Sequence, residues 1–398
     1  MGSAAAISES EVNQIYSKTG DYIYNTVKEP TFGSIGGEWV MYGLGIAKYP
    51  MSDSYIKGYV KTVEAVVKES KGVLHRRKYT EYSRLLVSYA ALGLDPTNVA
   101  GYSMVDPLCE FDDVIWQGPN GSIWALIALD RTGWKFSKSA KKNAKNLTTK
   151  QKLIDEILKN QLSDGGWSFA GDKRDPDMTG MALIALAPHR YESKKIKNAV
   201  SRGITAMSEM QCTSGAYATW GAETSESCAQ IICALSYLGI NPMADKRFKR
   251  NGNSVMDGMI GFYDSKVGGF RHVNHAHDGY KAEVNQMATE QAYYALAIFK
   301  SIFPEKIKGV KLAGSGTDIK VSVGKDKRAS GYQIKISTDS SFKKNVKSIR
   351  TAKSTITVKD LKSDTKYYVK VRGYKKINGN RAYGSYSDTA EIKTGIAN

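Results

Sequence analysis

Cysteine is scarce in this chain: Cys109, Cys212, Cys228 and Cys233 are the only four in 398 residues. None shows C-x-x-C spacing, so no zinc site, or any other metal site, is read from them. Cys228 and Cys233 fall five apart on one predicted helix, a poor geometry for a disulfide, and read as small buried hydrophobes. One longer-range disulfide stays open. Long apolar runs are also missing. No stretch reaches the roughly 18 apolar residues that a membrane-crossing helix needs. The opening MGSAAAISESEV lacks a basic segment followed by an apolar one, so it does not read as a secretory leader. Paired zinc ligands and an aromatic RNP stretch are absent, and no nucleic-acid partner is expected.

What is abundant is positive charge, and it is uneven. The formal net charge is +18, and residues 305–398 hold 22 Lys/Arg against 8 Asp/Glu. That segment alone carries +14, leaving +4 for the rest. Its lysines alternate along strand-like runs, as on a solvated sheet face. The second reading is attraction to an anionic cell-wall or surface polymer, such as a teichoic acid, or to acidic lipid.

Residues 1–304 repeat themselves. ALIAL occurs at 125–129 and at 182–186; LLVSYAALGLDP (85–96) matches IICALSYLGINP (231–242), and TEQAYYALAIF (289–299) is a third version. Several copies follow a turn of glycine and aromatic residues: SDGGWSF (163–169), TSGAYATWG (213–221) and KVGGFRH (266–272). A period of roughly 50 residues holds two helices and their turns. One such pair cannot bury its own apolar stripe, so the copies must stack. GMALIALAP is apolar on nearly all sides and predicts an inner helix buried on both faces. KKIKNAVSRGITAMSEM (194–210) carries charge on one face and predicts an outer one. A closed two-layer α/α barrel accounts for both.

From residue 305 the period changes to two. DIKVSV, GYQIKIST, STITVKDL and KYYVKVRGY alternate apolar with polar residues, and Asn378-Gly379 predicts a hairpin tip. About 90 residues with this strand count suggest a β-sandwich.

Residues 332–396 resemble a fibronectin type III domain of the kind found on bacterial surface proteins. GYQIKISTDSSF is similar to its strand C and following turn, and LKSDTKYYVKVRGY to the tyrosine-corner segment, with Leu361 and Tyr367 in the family positions. The strand-B tryptophan is replaced by Val323. The first 300 residues resemble the prenyltransferase and squalene-cyclase repeat superfamily, through QLSDGGWSFAGDKRDPDMTGMALIALAP, TSESCAQIICALSYLGINP and NQMATEQAYYALA. They are similar also to the helical domain of transcobalamin-like proteins. The implied fold is an all-α toroid followed by an all-β fibronectin type III sandwich. The setting these resemblances imply is extracellular or at a Gram-positive cell surface.

Function is less constrained, because that superfamily includes cyclases, zinc prenyltransferases, thioester domains and cofactor binders. Class II terpene cyclases use an Asp-x-Asp-Asp motif whose middle acid protonates an alkene. Asp175 and Asp177 match its first two acids, and Met178 replaces the third. The alternative is mechanical: Asp177 or Thr179 caps the following helix. The loop HVNHAHDGYK holds His272, His275 and His277, read as a polar loop rather than a metal site, and Lys266 stands where a prenyltransferase would place a cysteine ligand. Cys212 lacks the glutamine a thioester needs. Binding is what remains. The expected ligand-binding residues lie on the turns and helix starts: Trp167, Phe169, Tyr217, Trp220, Glu223, Phe270, Asn285 and Glu290, with Ser225 and Glu226 beside them. The ligand class is small and hydrophobic or corrinoid-like, by analogy with the transcobalamin-like relatives, and no particular cofactor is assigned. A purely structural adhesion module is the third alternative.

Overall fold

The apolar segments that recur in the sequence are helices, and they form one ring. The computed structural model describes residues 6–276 and 279–396. The chain divides into two units, Met1–Leu238 with Pro242–Phe299 and Gly239–Asn241 with Lys300–Asn398. In the first unit outer and inner helices alternate. Outer α1 (Glu9–Thr26) precedes inner α2 (Trp39–Ala47), and α3 (Asp53–Glu69) precedes α4 (Thr80–Leu92). The short α5 (Phe111–Val114) precedes α6 (Pro119–Thr132), and α7 (Lys138–Asn143) and α8 (Lys150–Lys159) precede α9 (Pro176–Leu186). Then α10 (Lys194–Met210) precedes α11 (Ser225–Tyr237), and α12 (Val255–Ile260) precedes α13 (Gln286–Ile302).

Helices α2, α4, α6, α9 and α11 pack side by side in that order. Gln230 joins α11 to α13, its side-chain amide donating to Gln291 and to the Tyr294 hydroxyl. The ring then closes from α13 onto α2. There the absence of a side chain at Gly43 matters, because a Cβ would lie 3.0 Å from the Tyr293 ring. The two layers differ as their sequences predict. Helix α9 buries Pro176, Met178, Thr179, Gly180 and every residue from Ala182 to Leu186. Helix α10 buries one stripe only, Ile196, Ala199, Val200, Gly203, Ile204, Ala206 and Met207, and leaves its lysines in water.

Just beyond α9, buried His189 sits between two carboxylates, with Nε2 2.7 Å from Asp130 Oδ2 and Nδ1 2.9 Å from Glu192 Oε1. Burial alone would lower its pKa, but the hydrogen bonds to Asp130 and Glu192 outweigh it and raise the pKa above the usual histidine value. A folded-state pKa above the unfolded one favours the native state at low pH. This contribution is full below the unfolded histidine value near 6.5 and is lost as pH rises through the folded one. His189→Gln is therefore expected to lower the melting temperature more at pH 6 than at pH 9. An equal loss at both would show that the ring acts by packing alone.

The second unit is all β. Its strands are β1 (Lys311–Ser315), β2 (Asp318–Ser322), β3 (Gly331–Ser337), β4 (Lys347–Thr351), β5 (Thr355–Val358), β6 (Lys366–Ile377), β7 (Asn380–Tyr383) and β8 (Ala390–Lys393). One sheet runs β5-β2-β1; the other runs β4-β3-β6, with β7 and β8 both pairing to β6. Alternate residues face a shared core that includes Ile319, Val321, Ile334, Ile336, Val369 and Val371. This is a fibronectin type III-like sandwich. The Tyr367 hydroxyl accepts from the Lys362 N–H at 3.1 Å and Leu361 packs on the core, completing the tyrosine corner. Asn378 and Gly379 both have positive φ (46° and 75°), as a two-residue hairpin turn requires. Val323 packs at the edge of the core, while the buried β2 positions are Ile319 and Val321.

Candidate functional site

Three of the inner helices start from one local motif. In α9, Asp175 is the N-cap: its Oδ1 accepts from Met178 N at 2.8 Å, and its Oδ2 takes the Phe169 N–H at 3.0 Å. Thr224 caps α11, and Asn285 accepts from Ala288 N at the start of α13. Each cap N–H also donates to the carbonyl of the turn aromatic: Asp175 to Trp167, Thr224 to Tyr217 and Asn285 to Phe270. Four residues after the cap comes a second clasp. Thr179 accepts from the Trp167 N–H at 3.0 Å, and Thr289 from the Phe270 N–H at 2.9 Å. Cys228 takes the equivalent N–H of Tyr217, and burial raises its thiol pKa well above the ordinary range. All four cysteines are free.

Two expectations change here. Asp175, not Asp177 or Thr179, is the cap, because only the residue preceding the first turn has the extended backbone that aims its carboxylate at the exposed N–H groups. Thr179 clasps the turn. Asp175→Ala is expected to cost about 1 kcal/mol, measured by thermal unfolding. The turn aromatics Trp167, Tyr217 and Phe270 have no exposed surface, and their rings fill the wall of the ring of helices. Phe169 and Trp220, by contrast, stand on the loops, 61% and 84% exposed. Glu223 accepts from the Ser214 hydroxyl beside Trp220.

Released from capping, Asp177 faces a different environment. Its Oδ1 is buried with no hydrogen-bond partner. Burial raises its carboxyl to about 6; a hydrogen bond from Ser227 opposes the shift, and the charges of Asp175 and Glu226 add to it. Glu226 occupies the same position of α11, two residues after the cap. It pairs through Oε2 with His272 Nδ1 at 2.9 Å and leaves Oε1 unpartnered. That hydrogen bond holds the His272 pKa above its usual value, and the imidazole packs at a tilt against the Tyr280 ring, centroids 4.4 Å apart. His275 is exposed, and His277 lies outside the described residues.

The arc continues on the next helix. Glu290 of α13 is 1% exposed, accepts the Gly36 N–H through Oε1 at 2.9 Å and leaves Oε2 unpartnered. Burial lifts it to about 7 against the hydrogen bonds from Gly36 and Gln286. Glu38, at the start of α2, is raised to about 7 by burial in spite of the Arg84 guanidinium 2.9 Å away. Carboxyls thus stand in the first turns of α9 and α11, in the second turn of α13 and just before α2, four neighbours in the ring.

Deeper in, the axis is bridged by aromatic rings. Trp39 lies 5.3 Å from Trp124 and 5.6 Å from Tyr294, and the Trp124 indole N–H points at Met181 Sδ, 3.1 Å away. Further along, Arg131 lies over Tyr42 and Tyr237 and hydrogen-bonds the latter. Trp39, Trp124, Met181 and Gln291 keep part of their surface exposed. The starts of these inner helices form one mouth of the ring, with the carboxyls around it and the part-exposed indoles of Trp39 and Trp124 as its floor. Asp175, Asp177, Glu226, Asn285 and Glu290 come together here. Glu38, Trp39, Trp124 and Tyr294 are the residues that sequence reasoning missed. The available signal was a tryptophan inside an apolar helix rather than on a turn, in WVMYGLGIA and SIWALIAL. Among the described residues no cluster of three His, Cys, Asp or Glu has metal-binding geometry.

No protein-family model matches the chain, and neither does any curated protein. Among solved structures, it is similar over 75% of its length to a mutant unsaturated glucuronyl hydrolase from Streptococcus agalactiae, with 10% identity, 93% of that chain covered and a TM-score of 0.48. It is similar over 73% to the type II terpene cyclase MstE from Scytonema, with 11% identity, 98% of that chain covered and a TM-score of 0.45. Over 23% it is similar to the FN1–FN3 domains of chicken CNTN1, at 22% identity and a TM-score of 0.20, spanning 31% of that chain.

Proposed function

We propose that the helical unit binds a small ligand in this mouth. One observation carries the reading: three buried carboxyl oxygens, on Asp177, Glu226 and Glu290, lack hydrogen-bond partners on successive inner helices above an indole floor. Among the described residues twelve buried side-chain polar atoms lack a partner, and the carboxyl oxygens among them are these three, on consecutive inner helices, where donors from outside can be received. The chemistry of the ligand follows. Its body is apolar and rests on Trp39 and Trp124, and its polar groups are donors, hydroxyl, amide or ammonium, directed at the carboxyls. A prenyl diphosphate fits poorly, since its anionic head would meet four carboxyls; a polyprenyl alcohol or an amide-bearing corrinoid meets donors to acceptors. The protein acts outside the cell, at or shed from a surface. What supports that setting is the pairing of the toroid with a strongly basic fibronectin type III-like unit. The test is retention of such a ligand by the purified chain and its loss in Trp124→Ala.

A second reading, proton donation by Asp177 to an alkene, is favoured by its pKa near 6. Glu226 supplies the neighbouring charge that Met178 fails to provide. The acid form grows as pH falls, so turnover of a polyprenyl substrate would rise from pH 8 to pH 5 and vanish in Asp177→Asn. Ligand retention with no chemical change at pH 5 rejects this reading and leaves the first intact.

A further inference from the structure

The second unit carries a separate cluster of cations. In the β4-β3-β6 sheet, Ile334, Ile336, Val369 and Val371 face the core, so Lys335, Lys370 and Arg372 face outward. Lys335 and Lys370 are directly opposed across the β3–β6 ladder. Like charges in that position destabilise a sheet, so folding alone gives no reason to keep them. On the same sheet Lys366 and Lys393 have carboxylate partners, Glu391 and Asp364. Among the described residues no ion pair neutralises Lys335, Lys370 or Arg372. Their charge lies against rings instead. Lys370 Nζ is 4.0 Å from the Phe342 centroid and 5.0 Å from that of Tyr386, and Arg372 Cζ is 4.4 Å from Tyr386. Burial, then the charges of Lys335 and Arg372, holds the Lys370 pKa below the usual lysine value. Arg372 Nε also donates to Gln333 Oε1 at 2.8 Å, so the cations are held in place with no carboxylate to balance them.

We propose that this sheet face docks an acidic polysaccharide, whose carboxylates replace the missing counter-charges on Lys335, Lys370 and Arg372. Lys370 and Arg372 are two residues apart on one strand, about 6.6 Å, and Lys335 sits on the next strand. That is a flat array suited to a linear chain with an anion on each sugar. Ring faces needed to stack nucleic-acid bases are already covered by the cations. The exposed large hydrophobics of this unit, Val346 and Ile396, lie outside the strands, and the Phe342 ring is part-covered by Lys370, so the face offers little apolar surface to a bilayer.

The experiment titrates the full chain with polygalacturonate and compares Lys370→Glu with Lys320→Glu. Both change the net charge equally, but Lys320 is exposed on β2, in the other sheet. Lys370→Glu is expected to weaken binding about tenfold or more while holding or raising the melting temperature, because Lys335 gains a carboxylate opposite it. Lys320→Glu should weaken it less than about twofold. Equal weakening by the two variants would reduce the effect to bulk charge and overturn the proposal. So would tighter binding of the wild-type chain to a single-stranded oligonucleotide or to phosphatidylglycerol vesicles than to polygalacturonate.

Discussion

Asp177→Asn is expected to stabilise the helical unit at pH 7.5 by about 3 kcal/mol, a gain that disappears below about pH 4. The sign follows from burial. The carboxyl titrates near 3.8 in the unfolded chain and at about 6 when folded. Between those values the native state binds the extra proton, so stability falls as pH rises across that window and stays low above it. A neutral side chain of the same shape removes that cost, which is already net of the Ser227 hydrogen bond that favours the charged form. Thermal melts at pH 7.5 and 3.5 check it, with a rise of roughly 5 °C at the higher pH only. A loss of stability at pH 7.5 would mean that the native state favours the Asp177 charge and that the mouth is ordinary structure. A gain identifies an acid kept at the expense of stability, as functional residues commonly are.

The largest destabilisation is expected from Trp167→Ala, at about 4 kcal/mol. The indole is fully buried beneath α10, where Gly203 makes room for it, and its Nε1–H donates to the Ile157 carbonyl at 2.7 Å. Truncation opens a cavity between α8, α9 and α10 and orphans that carbonyl. Calorimetry should show the loss in the helical unit, and Trp167→Phe should recover much of it. A small effect would mean that the ring collapses to fill the gap. That outcome would suit a pliable ligand-contacting role for Trp167 better than a wall position.

Much of this architecture is legible in the residues. The five segments recognised as copies, including both ALIAL runs, became α4, α6, α9, α11 and α13, because burial on both faces demands apolar residues all round. The sixth inner helix escaped that comparison. WVMYGLGIA is as apolar as the others, but Glu38 precedes it without a side-chain cap, after a glycine-rich loop with Gly36 at φ 70°. The start signals that mark α9 and α11 are missing there. The β unit is legible from period two, a hairpin dipeptide and the Leu361–Tyr367 pair, all local features. Site chemistry was less legible for a physical reason. Asp175 and Asp177 look alike in sequence, and only the backbone angle at the helix start decides which caps and which is left free. Trp39 and Trp124 lie 85 residues apart and meet only when the ring closes.

The central claim is that the carboxyl-rimmed, indole-floored mouth receives a ligand, and native mass spectrometry tests it most directly. The purified chain is incubated with a panel of polyprenyl alcohols, polyprenyl diphosphates and corrinoids, beside Trp124→Ala. The account predicts one retained, unaltered adduct from the uncharged or amide-bearing compounds, none from the diphosphates, and its loss in the variant. No adduct with any compound, or one that survives Trp124→Ala undiminished, would contradict it and move the helical unit toward a purely structural adhesion role.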